Sequence, residues 1–315
     1  MSDASKIPNI IEYAKTGHGI SLYPVQRFLL KLYYGIQLDE RPAEGHEAIY
    51  VRSPIDEKPT YMFSEEGYLK FLHDEGRSNI AVQDVGRHEL LASVGRRGGK
   101  AVLSGLIGTY EAFKLLHRAN PQEHYGLLEG NRIQVTIVTA DKDARSVVMD
   151  DVGRYVARCP LLKQRAANST LSYIAFRTGH NTEKATVRVS VKHSHAKGLH
   201  GSANIAVILD DIAHYQAADA DRVYKSLVPT TACFFSRSPD GERTYDGRLV
   251  QISTPNGRSG LFYNHHTMAM DGTTQGLALR IPAWEMNPTL PTQILREWHK
   301  RDAKAFAAEF GAEFV

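Results

Sequence analysis

The chain has 315 residues, 42% of them apolar and 23% charged, which is enough to bury a sizeable core and excludes a disordered or fibrous sequence. Lys+Arg 38 against Asp+Glu 35 leaves a formal charge of +3, so bulk charge does not announce nucleic-acid binding and any basic surface is local. Cys159 and Cys233 lie far apart without a Cys-x-x-Cys partner, which supports neither a disulfide framework nor a cysteine zinc site. No segment approaches the ~18 consecutive apolar residues of a membrane span, and the start MSDASKIPNI lacks a signal-peptide pattern. The expectation is a soluble intracellular protein.

In chain order, Tyr23 to Gly35 predicts a short helix, with Pro near its start, apolar residues at helical spacing and Gly at its end. Residues 39–90, with Pro42, Gly45, Pro54, Pro59, Gly67 and Gly76, read as a looser, elaborated N-terminal region. Strands and helices then alternate: Glu89–Val94, then a helix to His117, then Ile133–Thr139, then a helix over Asp143–Arg158. Val102, Leu103, Leu106, Ile107, Tyr110 and Phe113 share one face of the first long helix. Ser172–Phe176 and Thr186–Lys192 predict short strands, and the apolar run Ile205–Leu209 a strand covered on both faces. Leu249–Ser253 and Leu277–Ile281 follow as further central strands. This order predicts an α/β fold around a largely parallel sheet.

Three segments at the carboxyl ends of predicted strands carry chemistry, where open α/β sheets place their ligands. Gly95-Arg96-Arg97-Gly98-Gly99-Lys100-Ala101 turns a strand into a helix, so backbone N–H groups can face phosphate while Lys100 reaches its terminal groups. The usual P-loop begins with Gly and ends in Ser or Thr, whereas Val94 and Ala101 stand at those positions here. An ordinary glycine-rich strand-to-helix turn has the same composition. Asp210 and Asp211 end an apolar strand as a Walker B pair does, one acid anchoring Mg²⁺ and the next orienting the attacking water; an Asp-rich helix cap is the plainer alternative. The two segments together supply complementary halves of one nucleotide site. Ser253-Thr254-Pro255 ends another strand, as a plain turn or as a sensor of the γ-phosphate.

With these residues in that order, the sequence resembles the ATPase domain of the large terminase subunit of tailed bacteriophages. The resemblance rests on GRRGGKA at 95–101, VILDDIAHY at 207–215 and ISTPNGRSGLFYNHH at 252–266, with YPVQ at 23–26 and WEMNPTLP at 284–291, and spans nearly the whole chain except residues 39–88. It implies an ASCE-type P-loop NTPase with a central, largely parallel sheet flanked by helices. The expected organisation is an N-terminal helical, adenine-side region at 1–88, an ATPase core at 89–290 and a helical linker at 291–315. The implied activity is ATP hydrolysis driving double-stranded DNA into a procapsid, by a homo-oligomeric ring on a portal protein with a small terminase subunit as partner, in the host cytoplasm.

Carried over residue by residue, the resemblance implies that Tyr23 and Gln26 meet adenine, that Arg96 and Lys100 engage phosphates along the 95–101 loop, and that Asp210 holds Mg²⁺. It implies that Asp211 stands at the catalytic Glu position and that Ser253 to Pro255 form the coupling motif. His200 falls near the position of an arginine finger, with Lys197 and Arg145 as further trans-acting candidates. Large terminases carry a C-terminal nuclease, so a chain ending at Val315 is expected to be the motor domain without nuclease activity. Ala101, Asp211 and His200 depart from the family pattern. A helicase or translocase unrelated to packaging and a weakly active nucleotide-binding scaffold are the alternatives. His193, His195 and His200 lack an acidic or Cys ligand at metal-site spacing and read as a polar strand and its loop. Val187, Val189 and Val191 alternating with Arg188, Ser190 and Lys192 describe a strand with one solvated face, with DNA contact a secondary reading.

Overall fold

A computed structural model describes residues 7–315 except 18, 44–46, 56–59, 82–85, 197, 199–201 and 238–240. Its strands are β1 (Ile49–Val51), β2 (Tyr61–Phe63), β3 (Glu89–Val94), β4 (Ile133–Thr139), β5 (Ala166–Ser169), β6 (Tyr173–Arg177), β7 (Ala185–His193), β8 (Ala203–Asp210), β9 (Phe235–Arg237), β10 (Arg243–Tyr245), β11 (Arg248–Ser253) and β12 (Leu277–Ile281). Eight of them form one mostly parallel sheet in the order β12-β3-β11-β8-β4-β7-β6-β5, while β1-β2 and β9-β10 are separate antiparallel pairs. One strand, β11, stands between the strand entering the glycine-rich loop and the strand ending in Asp210, the order of an ASCE-type P-loop fold.

The chain forms two compact units, the first of Met1–Ser21, Ala101–Ile208 and Asp221–Leu249 and the second of Leu22–Lys100, Leu209–Ala220 and Val250–Val315. In the first, β4 and β7 run parallel with Val135 opposite Val189 and Ile137 opposite Val191, all buried. The sheet departs from parallel at its edge, where β6 runs antiparallel to β7 and β5 to β6. Short connections impose this, because parallel neighbours need a crossover of a dozen or more residues. The helix Lys142–Arg158 begins at Asp141, whose carboxylate accepts from the N–H groups of Asp143 and Ala144, and buries Val148, Val152 and Val156. Along the helix Lys100–His117, Gly105 lies under the Tyr155 ring, where a Cβ would come within 3.1 Å.

In the second unit the helix Pro24–Tyr34 is opened by Pro and closed by Gly35 at φ 69, a left-handed cap that glycine adopts without steric cost. The described residues of the 39–90 stretch carry regular structure that its Pro and Gly content does not suggest, in β1, β2 and a helix. Ser64 accepts from the N–H of Gly67 to start the helix Glu65–Asp74, which buries Tyr68, Leu69 and Leu72. The Tyr68 hydroxyl donates to Glu285, and Arg77 also meets Glu285, at 3.1 and 2.7 Å, so a buried carboxylate ties this helix to a segment more than two hundred residues later. Parallel pairing of β12 with β3 sets Ile281 opposite Val94 and directs both chains toward the glycine-rich loop.

His266, on the helix Gly260–Met270, is buried among Phe262 and Phe314 with a ring nitrogen 3.2 Å from the Leu279 carbonyl. Burial lowers its pKa to about 4. Because the unfolded imidazole titrates near ~6.5, the unfolded chain takes up the proton first as the medium is acidified. The resulting stability is present above pH ~6.5 and is lost as pH falls toward 4, by up to about 3 kcal/mol. Urea denaturation across this range should show that slope in the wild type and a shallower one in His266→Gln.

Candidate functional site

The glycine-rich loop leaves β3 at Gly95 and enters a helix at Lys100. Arg97 and Gly99 take positive φ values of 68 and 92, alternations that let successive backbone N–H groups turn inward as an anion-binding nest. Close packing accounts for the glycines. A Cβ on Gly95 would lie 2.3 Å from the Phe310 carbonyl oxygen and 2.5 Å from the Ala283 nitrogen, both backbone atoms. One on Gly98 would meet Val94 at 2.6 Å, and one on Gly99 the Gln26 amide at 2.5 Å.

Side chains from distant segments grip the loop from outside. Gln26 is buried at 5% exposure; its Nε2 donates to the Gly98 carbonyl at 3.0 Å and its Oε1 accepts from the Tyr23 N–H at 3.2 Å. Asn287 Nδ2 donates to the Arg97 carbonyl at 3.2 Å, and Asn287 Oδ1 in turn accepts from the Thr289 hydroxyl at 2.6 Å. The Tyr23 hydroxyl lies 3.5 Å from that of Thr289. The resemblance implies adenine contact for Gln26 and Tyr23; in the structure the Gln26 amide holds the loop backbone at one end and its own helix start at the other. Asn287, within WEMNPTLP, is a loop-holding residue that no sequence pattern singles out.

Lys100 and Asp211 come together from two strand ends, with Nζ 3.5 Å from Oδ1. Lys100 is largely buried and Asp211 half-exposed. Asp211 adopts φ 55, in the left-handed region, and its N–H donates to the Ile252 carbonyl at 2.8 Å. Asp tolerates this conformation better than most side chains, a local reason for a shorter acid where the resemblance led us to expect Glu. Asp210 ends β8 at 4% exposure. Both acids, after burial itself, raise the pKa of the Tyr215 hydroxyl well above its usual value, so Tyr215 stays neutral beside them.

The loop after these acids is tied to the third segment. The Ala213 N–H donates to Ser253 Oγ at 3.2 Å, His214 Nε2 lies 2.8 Å from Thr254 Oγ1, and Asn256 Nδ2 donates to the Ala213 carbonyl at 3.1 Å. Ser253, Thr254 and Pro255 are buried. Arg96 turns instead to Glu309, with Nε 2.5 Å from the carboxylate and its backbone N–H donating to the Glu309 carbonyl. That hydrogen bond raises the Arg96 pKa and lowers that of Glu309. Arg145 lies in the first unit, on the opening turn of the helix Lys142–Arg158. Lys197 and His200 lie outside the described residues. Among the described residues, no three His, Cys, Asp or Glu side chains converge as a metal site.

A family model described as "Uncharacterized protein MJ0330, N-terminal P-loop domain" matches residues 55–310. The chain belongs to this P-loop family. No curated protein matches it. Among solved structures, the P-loop domain is similar to the large terminase ATPase domain of Thermus phage P74-26, at 21% identity over 71% of this chain and 88% of that chain, with a TM-score of 0.46. It is also similar to the large terminase of bacteriophage HK97, at 15% identity over 71% of this chain and 47% of that one, with a TM-score of 0.48. For the large terminase of a further thermophilic bacteriophage, the identity is 12% over 73% and 49% of the two chains, with a TM-score of 0.47.

Replacing Gln26 with Leu leaves the buried Gly98 carbonyl without its side-chain donor. The expected cost is about 1–3 kcal/mol of stability in urea denaturation, with little loss for Gln26→Glu at a pH that protonates the carboxyl group.

Proposed function

We propose that this P-loop domain is an ATP-hydrolysing motor of the large-terminase type, which drives double-stranded DNA into a procapsid. The observation that carries the reading is the meeting of Lys100 with Asp211 from separate strand ends, on a loop hydrogen-bonded to the Ser253–Pro255 segment. The residues suit ATP and Mg²⁺. The positive φ of Arg97 and Gly99 turns loop N–H groups inward, Lys100 stands at the helix start beside them, and Asp210 and Asp211 are the hard oxygen donors that Mg²⁺ takes. Ala101 offers no hydroxyl, so a water would take the coordination position that Ser or Thr occupies in a usual P-loop.

In this reading the loop N–H groups and Lys100 bind phosphate oxygens and neutralise the charge that accumulates during phosphoryl transfer. Asp210 would hold Mg²⁺, whose chemistry when bound is to neutralise charge on the phosphate oxygens. Asp211 gives up Lys100 to the nucleotide and then orients the attacking water. Movement of Asp211 is passed on by its N–H to Ile252 and by the Ala213 and His214 contacts to Ser253 and Thr254. Bound nucleotide also gives Arg96 an anion to meet in place of Glu309. A homo-oligomeric ring on a portal protein, with a small terminase subunit as partner and the host cytoplasm as location, belongs to the same proposal. No described helix is long and apolar enough to cross a membrane.

Lys100→Ala and Asp210→Ala should each lower ATP turnover at least about a hundredfold with the fold intact. Wild-type turnover in both variants would overturn the site. A duplex-translocation assay set against a strand-unwinding assay separates a packaging motor, which moves duplex DNA intact, from a helicase.

A further inference from the structure

The first unit carries a sheet with two unlike faces. Register places Val135, Ile137, Val187, Val189, Val191, Ile174 and Phe176 on one face of β4, β7 and β6, all buried, and the helices Lys142–Arg158 and Pro160–Arg165 pack against these strands. The other face mixes polar and charged residues with Val138 and Ala175, which lie opposite Lys192 and Arg188. Gln134 lies opposite Arg188 and Thr136 opposite Ser190, while Tyr173 lies across from Ser190. Its β4 side is closed by hydrogen bonds from Gln134 to Thr136 at 2.7 Å and from Thr136 to Asn204 at 2.6 Å. Toward β6 it opens, with Arg188, Lys192 and Tyr173 only partly buried and Arg132, just before β4, exposed.

The cations of this open face are poorly compensated. The Arg188 guanidinium lies over the Tyr173 ring, 3.8 Å from its centroid, and its buried Nε has no hydrogen-bond partner among the described residues. Lys192 donates to the Gly198 carbonyl at 3.0 Å, a neutral acceptor. Burial, followed by Arg132, lowers the pKa of Arg188, and burial followed by Arg188 lowers that of Lys192; among the described residues no carboxylate contributes to either shift. Like charges held together on a sheet, with no counter-ion among the described residues, create a local positive field that a polyanion relieves. Four residues of strand separate Arg188 from Lys192, roughly 13 Å, a span that meets several charges on a duplex.

We propose that the open face formed by Arg132, Arg188 and Lys192 over Tyr173 contacts the phosphate backbone of double-stranded DNA. This rests on the motor reading given above and assigns the track to a place outside the nucleotide site. A chain with a net charge of only +3 then binds DNA through one local patch, with no base readout. Side chains that alternate along one strand are held at fixed spacing, which suits a backbone of regular charge.

The test is fluorescence anisotropy with a labelled duplex of random sequence, titrated at several salt concentrations. Three proteins are compared: wild type; Arg132→Gln, Arg188→Gln, Lys192→Gln; and a variant of equal net charge altered at the exposed Lys163, Arg301 and Lys304. The first triple variant should lose affinity by on the order of tenfold per contact near 0.1 M salt, and its log–log salt slope should become shallower by about 0.9 for each phosphate released. DNA-independent ATP turnover should stay at the wild-type level, and the charge-matched variant should bind nearly as the wild type does. Retention of wild-type affinity and slope by the first triple variant overturns the surface while leaving the motor reading intact, and so does an equal loss in the charge-matched control. Absence of duplex binding by the wild type overturns the DNA reading itself.

Discussion

Everything at the candidate site depends on holding a backbone turn that would relax if left alone. Arg97 and Gly99 both carry positive φ, and a non-glycine residue in that region persists only where its surroundings over-determine it. Here the surroundings are the Gln26 amide on Gly98, the Asn287 amide on Arg97 and the Phe310 and Ala283 backbone against Gly95. These groups come from the first helix of the second unit and from its C-terminal segment. The loop can therefore present its N–H groups inward because its carbonyls are satisfied outward, and each orphaned carbonyl would cost about 1–3 kcal/mol.

The same constraint governs the acids. Asp211 sits in a left-handed conformation at a strand end, its N–H held by Ile252 and its carboxylate facing Lys100. Ser253, Thr254 and Asn256 then grip Ala213 and His214 just beyond it. β11 stands between β3 and β8 in the sheet, which brings its end beside Asp211. Short polar side chains suit this position, since each reaches one backbone group or ring nitrogen.

A separation of roles follows from sheet chemistry. In the second unit the strand ends carry the polar groups that suit nucleotide chemistry, whereas in the first unit strand faces carry the contrast. Period-2 alternation puts valines of β7 on one face and Arg188, Ser190 and Lys192 on the other. A strand buried on both faces, such as β8, has no room for such charges, and its sequence is apolar from Ile205 to Leu209.

Much of the fold was legible in the sequence because its signals are local. The alternation of β7, the apolar run of β8, the proline and Gly35 around the helix Pro24–Tyr34 and the glycine loop before Lys100 each act over a few residues, and the structure places strands and helices within a residue or two of where they predict them. The 39–90 stretch was harder, since Ser64 capping a helix is a single side-chain contact among prolines and glycines. The antiparallel edge was equally hidden, because strand direction depends on what each short connection can span. At the site, the residue types that could meet phosphate and metal were visible in Lys100, Asp210 and Asp211. Which partners they and their neighbours take was not, because it depends on approach in space: Gln26 on Gly98, Arg96 on Glu309 and Asn287 on Arg97 join positions separated by 72, 213 and 190 residues. Sequence by itself determined the elements and the chemistry on offer, through periodicity and backbone preference; only the tertiary structure decided which donors meet which acceptors, since hydrogen bonds of about 3 Å are set by packing and not by order along the chain.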